Sequence, residues 1–148
     1  MKFGLKLPDA AGLLGVPVSR LRYRVSHLPG PWTQRKDQRL AWPEILALAA
    51  IGQYCESYHL EIGVFSASVT DLVELFCEHS PAELQDQRLL FQATRKEFRV
   101  VARSADADEI ITDKWLAIDL DEVLQQIWSR LYSPELVTDN NGKMRSAA

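Results

Sequence analysis

Arg20, Tyr23, Arg24 and His27 recur within eight residues of a segment that reads as one short helix. With Val18 at 0° and 100° per residue, Val18, Leu21 and Val25 gather within about 60° of one another, while those four fall at roughly 140° to 240°. Two guanidiniums, a phenol and an imidazole on the side opposite an aliphatic stripe form a hydrogen-bonding, cationic surface. Its chemistry suits the base edges and phosphates of a duplex, because the guanidinium fork matches guanine in the major groove. Ser19 shares the outer side. Arg22, near 40°, lies at the boundary and is the weakest candidate for a base contact. A second basic cluster, Gln34, Arg35, Lys36 and Arg39, follows the Pro29-Gly30-Pro31 break, placed to hold the flanking backbone.

Other chemistries fit less well. Cys55 and His59 are spaced i, i+4, but Cys77 and His79 have one intervening residue, a poor spacing for two zinc ligands from a helix. Both cysteines read instead as small buried residues on apolar faces. The carboxylates Asp106, Asp108, Glu109 and Asp113 lack the glycine and terminal glutamate of a calcium loop. No glycine-rich phosphate loop and no local nucleophile–base pair stands out. The expectation is a protein without catalytic activity, metal or cofactor.

The elements that position the basic residues follow from punctuation. Pro8 and Asp9 open a helix over Asp9–Leu14, Gly15 ends it, and Pro17 starts a second helix running to about Ser26. Trp32 to Trp42 reads as two short strands around a turn near Lys36-Asp37. Pro43 opens a third helix, Glu44 to about Tyr58, apolar on most sides and therefore the buried pillar. Val69, Leu72, Val73 and Phe76 mark a helix over 68–79, and Ser80-Pro81-Ala82-Glu83 has the form of a capping box. Leu89, Phe91 and Ala93 pair with Phe98, Val100 and Ala102 across a turn at Thr94–Glu97. A strand over Lys114–Ile118 around Trp115 precedes a final helix capped by Asp119 or Asp121, with Val123, Leu124, Ile127, Trp128 and Leu131 on one face. The fold class expected is α+β: an N-terminal winged helix-turn-helix (1–60), a small helix/β-hairpin lobe with a C-terminal helix (61–137), and a disordered tail (138–148).

Ala10-Ala11-Gly12-Leu13-Leu14-Gly15-Val16, then Leu21-Arg22-Tyr23, then Arg39-Leu40 leading into the apolar helix resemble the winged helix-turn-helix of the MerR family. The same layout occurs in small excisionase-like proteins. The resemblance covers about a third of the chain and implies a transcription regulator whose helix and basic wing bind adjacent segments of double-stranded DNA. Leu40 departs from it, standing where the family usually has an aromatic, and the family's long dimerisation helix is not evident.

The chain has 148 residues, 47% hydrophobic and 25% charged, enough for a packed core. Residues 1–54 carry eight basic and three acidic residues, +5; residues 55–148 carry nine and seventeen, −8. A basic front meets a polyanion; an acidic rear sets dimer geometry or meets a protein partner. A second copy is expected because DNA readers of this size use two half-sites; the sheet edge or the final helix stripe would join the copies, unless that stripe covers its own sheet. The longest apolar run is too short for a membrane span and the N-terminus lacks a signal-peptide core. With two unpaired cysteines, the expected location is the cytoplasm. Two rivals stay open: a protein-interaction module, such as an antitoxin or adaptor on a helix-turn-helix scaffold, and a DNA-bending recombination factor.

Overall fold

The computed structural model describes residues 4–28, 39–103 and 114–132. The architecture is α+β, with two small sheets among the helices. The chain enters through strand β1 (Leu5–Lys6) and passes directly into helix α1 (Leu7–Leu14), whose first turn holds Pro8 and Asp9. Helix α2 (Val18–Ser26) follows after a three-residue turn. Strand β2 (Arg39–Leu40) pairs antiparallel with β1, Leu5 opposite Leu40 and Lys6 opposite Arg39. The sequence reading missed β1, since two residues show no periodicity. It also placed β2 in a hairpin over 32–42, most of which lies outside the described residues.

Helix α3 (Trp42–Tyr58) is the pillar the composition implies, burying nine residues including Ile45, Leu48, Ile51 and Tyr54. Glu44 is buried in its first turn and accepts a hydrogen bond from the Ala41 N–H at 2.8 Å, which offsets part of the desolvation of its carboxylate. A 3-10 turn (Ile62–Phe65) leads to helix α4 (Val69–Cys77), where Val69, Leu72 and Phe76 face inward as expected. Cys77, one position beyond that stripe, is exposed, and Cys55 is half-buried; neither is the buried core cysteine expected from sequence. Ser80 and Glu83 bond reciprocally, at 2.9 and 3.3 Å, and a short turn follows as the capping box implies, with Leu84 buried beneath it.

Strands β3 (Gln87–Gln92), β4 (Glu97–Ala102) and β5 (Leu116–Asp119) form an antiparallel sheet in the order β4-β3-β5. Leu89 lies opposite Val100 and Phe91 opposite Phe98, so the turn spans residues 93–96 and not Thr94–Glu97 as the sequence suggested; alternation fixes which residues share a face but leaves a two-residue shift in register open. Helix α5 (Leu120–Tyr132) starts where Asp119 accepts the Asp121 N–H at 3.0 Å, a side-chain cap.

One core joins these pieces. Tyr54 sits among Phe65, Phe91 and Phe98 with ring centroids 5.7 to 6.2 Å away, and its hydroxyl donates to the Leu89 carbonyl at 2.8 Å. Burial pushes this phenol well above its ordinary pKa. Helix α5 buries Val123, Leu124 and Ile127, so most of its stripe is spent inside the molecule, while Leu131 is exposed. Trp128 stacks on Trp42 at 5.5 Å, and Arg130 Nη1 donates to the Leu13 carbonyl at 3.2 Å. The last helix therefore packs on the first, third and sheet elements alike. At the β5 edge, Ala117 gives its N–H to the Tyr58 hydroxyl (3.2 Å) and takes that hydroxyl's proton on its carbonyl (2.6 Å). An edge so occupied is blunted against strand addition at that residue.

Candidate nucleic-acid interface

The turn between α1 and α2 is set by Gly15, at φ 70°, in the left-handed region that glycine enters without a Cβ clash. Its N–H and that of Val16 close the end of α1 on the Gly12 and Ala11 carbonyls. Pro17 then presets the entry to α2, accepting the N–H groups of Arg20 and Leu21. The inward side of α2 is Leu21 and Val25, with Val18 half-buried. Helix α1, packed against α2, buries Leu7, Ala10 and Ala11, while Leu13 and Leu14 are half-buried.

Outward, Ser19, Arg20, Arg22, Tyr23 and His27 are exposed, Tyr23 to 58%. Among the described residues, no carboxylate pairs with Arg20 or Arg22. His27 folds back on its own helix, its Nδ1 2.8 Å from the Tyr23 carbonyl and its ring centroid 4.2 Å from that of Tyr23. A carbonyl only accepts, so Nδ1 carries the hydrogen, and in the neutral ring Nε2 is left as an acceptor. The Ser26 hydroxyl donates to the same carbonyl at 2.6 Å. The C-terminal turn of α2 thus holds Tyr23 and His27 as one oriented pair.

Arg24 departs from the expected face. It is half-buried and lies along α3 at Gly52, where an added Cβ would stand 2.9 Å from its Nη1. The wheel angle put Arg24 and Arg22 at comparable distances from the stripe; α3 packs on Arg24's flank, and Arg22 is left in the open. Of the two, Arg22 is the more exposed. Arg39, in β2 opposite Lys6, donates through Nη1 to the Gly4 carbonyl at 3.0 Å, so part of its fork is engaged at home. Gln34, Arg35 and Lys36 lie outside the described residues, as do the carboxylates of 104–113 and the tail.

The rear half is not uniformly acidic on its surface. Arg88, Arg99 and Arg103 share the sheet face turned away from Leu89 and Phe91, with Trp115 beneath the Arg95 and Arg99 guanidiniums at 5.4 and 4.9 Å. Arg103 is tied down by Asp119 at 2.9 Å, by Asp86 and by Asp121. Among the described residues, no group of three His, Cys, Asp or Glu is placed to hold a metal ion, and no helix is long and apolar enough to cross a membrane. No family model, curated protein or solved structure matches this chain.

Proposed function

We propose that this chain is a sequence-specific, duplex-DNA-binding transcription regulator that acts without catalysis, in the cytoplasm and as a homodimer. The observation that carries the reading is the outer face of α2. It presents Arg20 and Arg22 with no acidic partner among the described residues, beside the exposed Ser19, Tyr23 and His27. A helix with its side chains is about 10–12 Å across and the B-DNA major groove about 12 Å wide, so a helix such as α2 fits the groove. In this reading Arg20 takes a base edge or phosphate and Arg22 a flanking phosphate. The Tyr23 ring offers apolar contact to a thymine methyl, and His27 Nε2 accepts from an exocyclic amine. Lys6 and Arg39, paired across β1 and β2, with Gln34, Arg35 and Lys36 between the helices, supply the wing of a winged helix-turn-helix.

Selection of bound duplexes from a random library tests this. The expected result is an enriched motif whose affinity falls steeply with salt, arranged as two half-sites about 34–36 Å apart when a dimer reads them. Selection that enriches nothing over non-specific duplex, by a protein shown to be folded, refutes it.

A further inference from the structure

Between α1, α2, α3 and α5 lies a cavity of about 40 Å³ that the DNA-binding reading does not use. Two arginines line it, Arg24 from α2 and Arg130 from α5. Each occupies room that a glycine provides. A Cβ on Gly52 would stand 2.9 Å from Arg24 Nη1, and one on Gly15 would stand 2.5 Å from Arg130 Cζ. Neither arginine forms an ion pair among the described residues. Each guanidinium carries five N–H donors, and among the described residues the one hydrogen bond made by the pair is from Arg130 to the Leu13 carbonyl.

Two half-buried arginines share this lining without an ion pair among the described residues, so their charge has no bonded counterpart there. The carbonyl end of α1 offsets part of the Arg130 charge, but nothing comparable meets Arg24. The amides of Gln53 and Gln126 add further donors to the lining, while Leu14, Val16, Ala49 and Ile127 make its apolar wall. Glu56, one turn beyond Gly52, is the one carboxylate lining the cavity among the described residues; it is exposed and makes no ion pair among them. On a scale where one water takes about 10–15 Å³, the cavity of about 40 Å³ has room for about three to four water-sized atoms.

We infer that this cavity is a binding site for a small oxyanion, of phosphate or carboxylate type, bridged by Arg24 and Arg130. The anion neutralises both guanidiniums at once through charge-assisted hydrogen bonds, and it ties α2 to α5. Because it holds Arg24 inward, it also fixes the face that α2 shows to solvent; any effect on DNA rests on the function proposed above, whereas the binding itself does not.

The test uses the full chain without DNA. Inorganic phosphate in one arm and acetate in the other replace chloride at constant ionic strength, and amide resonances are followed by two-dimensional nitrogen–proton spectroscopy. The expected result is a saturable shift at Gly15 and Gly52, in one arm or both, the arm identifying the oxyanion class. Arg24→Gln, which removes no hydrogen bond seen in the fold, weakens that binding at least about tenfold. Glu56→Gln leaves it unchanged or tighter, since it removes a competing negative charge. Phosphate and acetate that act no differently from chloride overturn the inference. So does a saturable shift that survives Arg24→Gln undiminished, or one that Glu56→Gln abolishes.

Discussion

Replacing Arg20, Arg22 and Arg24 one at a time by glutamine separates the face α2 presents from the face its sequence implied. Arg20 and Arg22 stand in solvent, while Arg24 lies along α3 at Gly52. Each phosphate neutralised by a protein cation contributes about 0.9 to the slope of log affinity against log salt. A fourfold rise in salt, from about 50 to about 200 mM, therefore lowers affinity about 3.5-fold per contact. If Arg20 and Arg22 each meet a phosphate, the double variant sheds about twelvefold of the wild-type salt loss over that range, and Arg24→Gln sheds almost none. An arginine on a base edge adds a different signature, a loss of about 1–3 kcal/mol confined to one base position. Fluorescence anisotropy of a labelled selected duplex, in chloride buffer free of phosphate, measures both. All three side chains end at or near the surface and hold no ion pair among the described residues, so stability should move by no more than about 0.5 kcal/mol, which a denaturant titration checks. An Arg24→Gln slope as flat as that of Arg20→Gln would mean that Arg24 leaves α3 to bind DNA, and the face assigned here is wrong. A double variant with the wild-type slope would remove α2 from the interface altogether.

Three further outcomes follow from the fold. Tyr54→Phe takes the hydroxyl from the Leu89 carbonyl in a fully buried site and should lower unfolding free energy by about 1–3 kcal/mol, read from urea denaturation; an unchanged midpoint would show that the bond contributes nothing. Gly15→Ala forces a Cβ into the left-handed region and onto the Arg130 guanidinium, and should destabilise by at least about 1–2 kcal/mol. Gly52→Ala meets only the movable end of Arg24 and gains helix propensity, so it should fall well short of that. The Ser80 backbone and hydroxyl hold the Glu83 carboxyl below its ordinary range. A group lowered in the folded state adds stability above its unfolded value, about 4.3, and loses it as pH falls through the lower folded value. Glu83→Gln should therefore flatten the acid limb of the stability profile and leave it parallel to wild type near neutrality; an unaltered acid limb would deny the cap any role.

Much of the local structure was legible in the residues themselves. Gly15 and Pro17 bounded α1 and α2, the period-two alternation of Leu89 and Phe91 and of Phe98 and Val100 marked the two strands and their shared face, and the pair Asp119 and Asp121 announced α5. These signals are local: a missing Cβ, a fixed φ, a side chain alternating across a pleat, a carboxylate within reach of an unpaired N–H. The α+β class followed from them, and so did the outward placement of Ser19, Arg20, Tyr23 and His27.

What the chain order could not convey is which neighbour arrives on which flank. A helical wheel fixes the angle of Arg24 and Arg22 but not the side on which α3 packs, and that side decided that Arg24 folds in and Arg22 stays out. The pairing of Lys6 with Arg39, the Tyr58 hydroxyl on the β5 edge, the arginines on the outer face of a nominally acidic half, and the cavity that Arg24 and Arg130 line from more than a hundred residues apart are of the same kind. Each depends on contacts between elements distant in sequence, where burial and charge are set jointly by two surfaces and neither one carries the information alone.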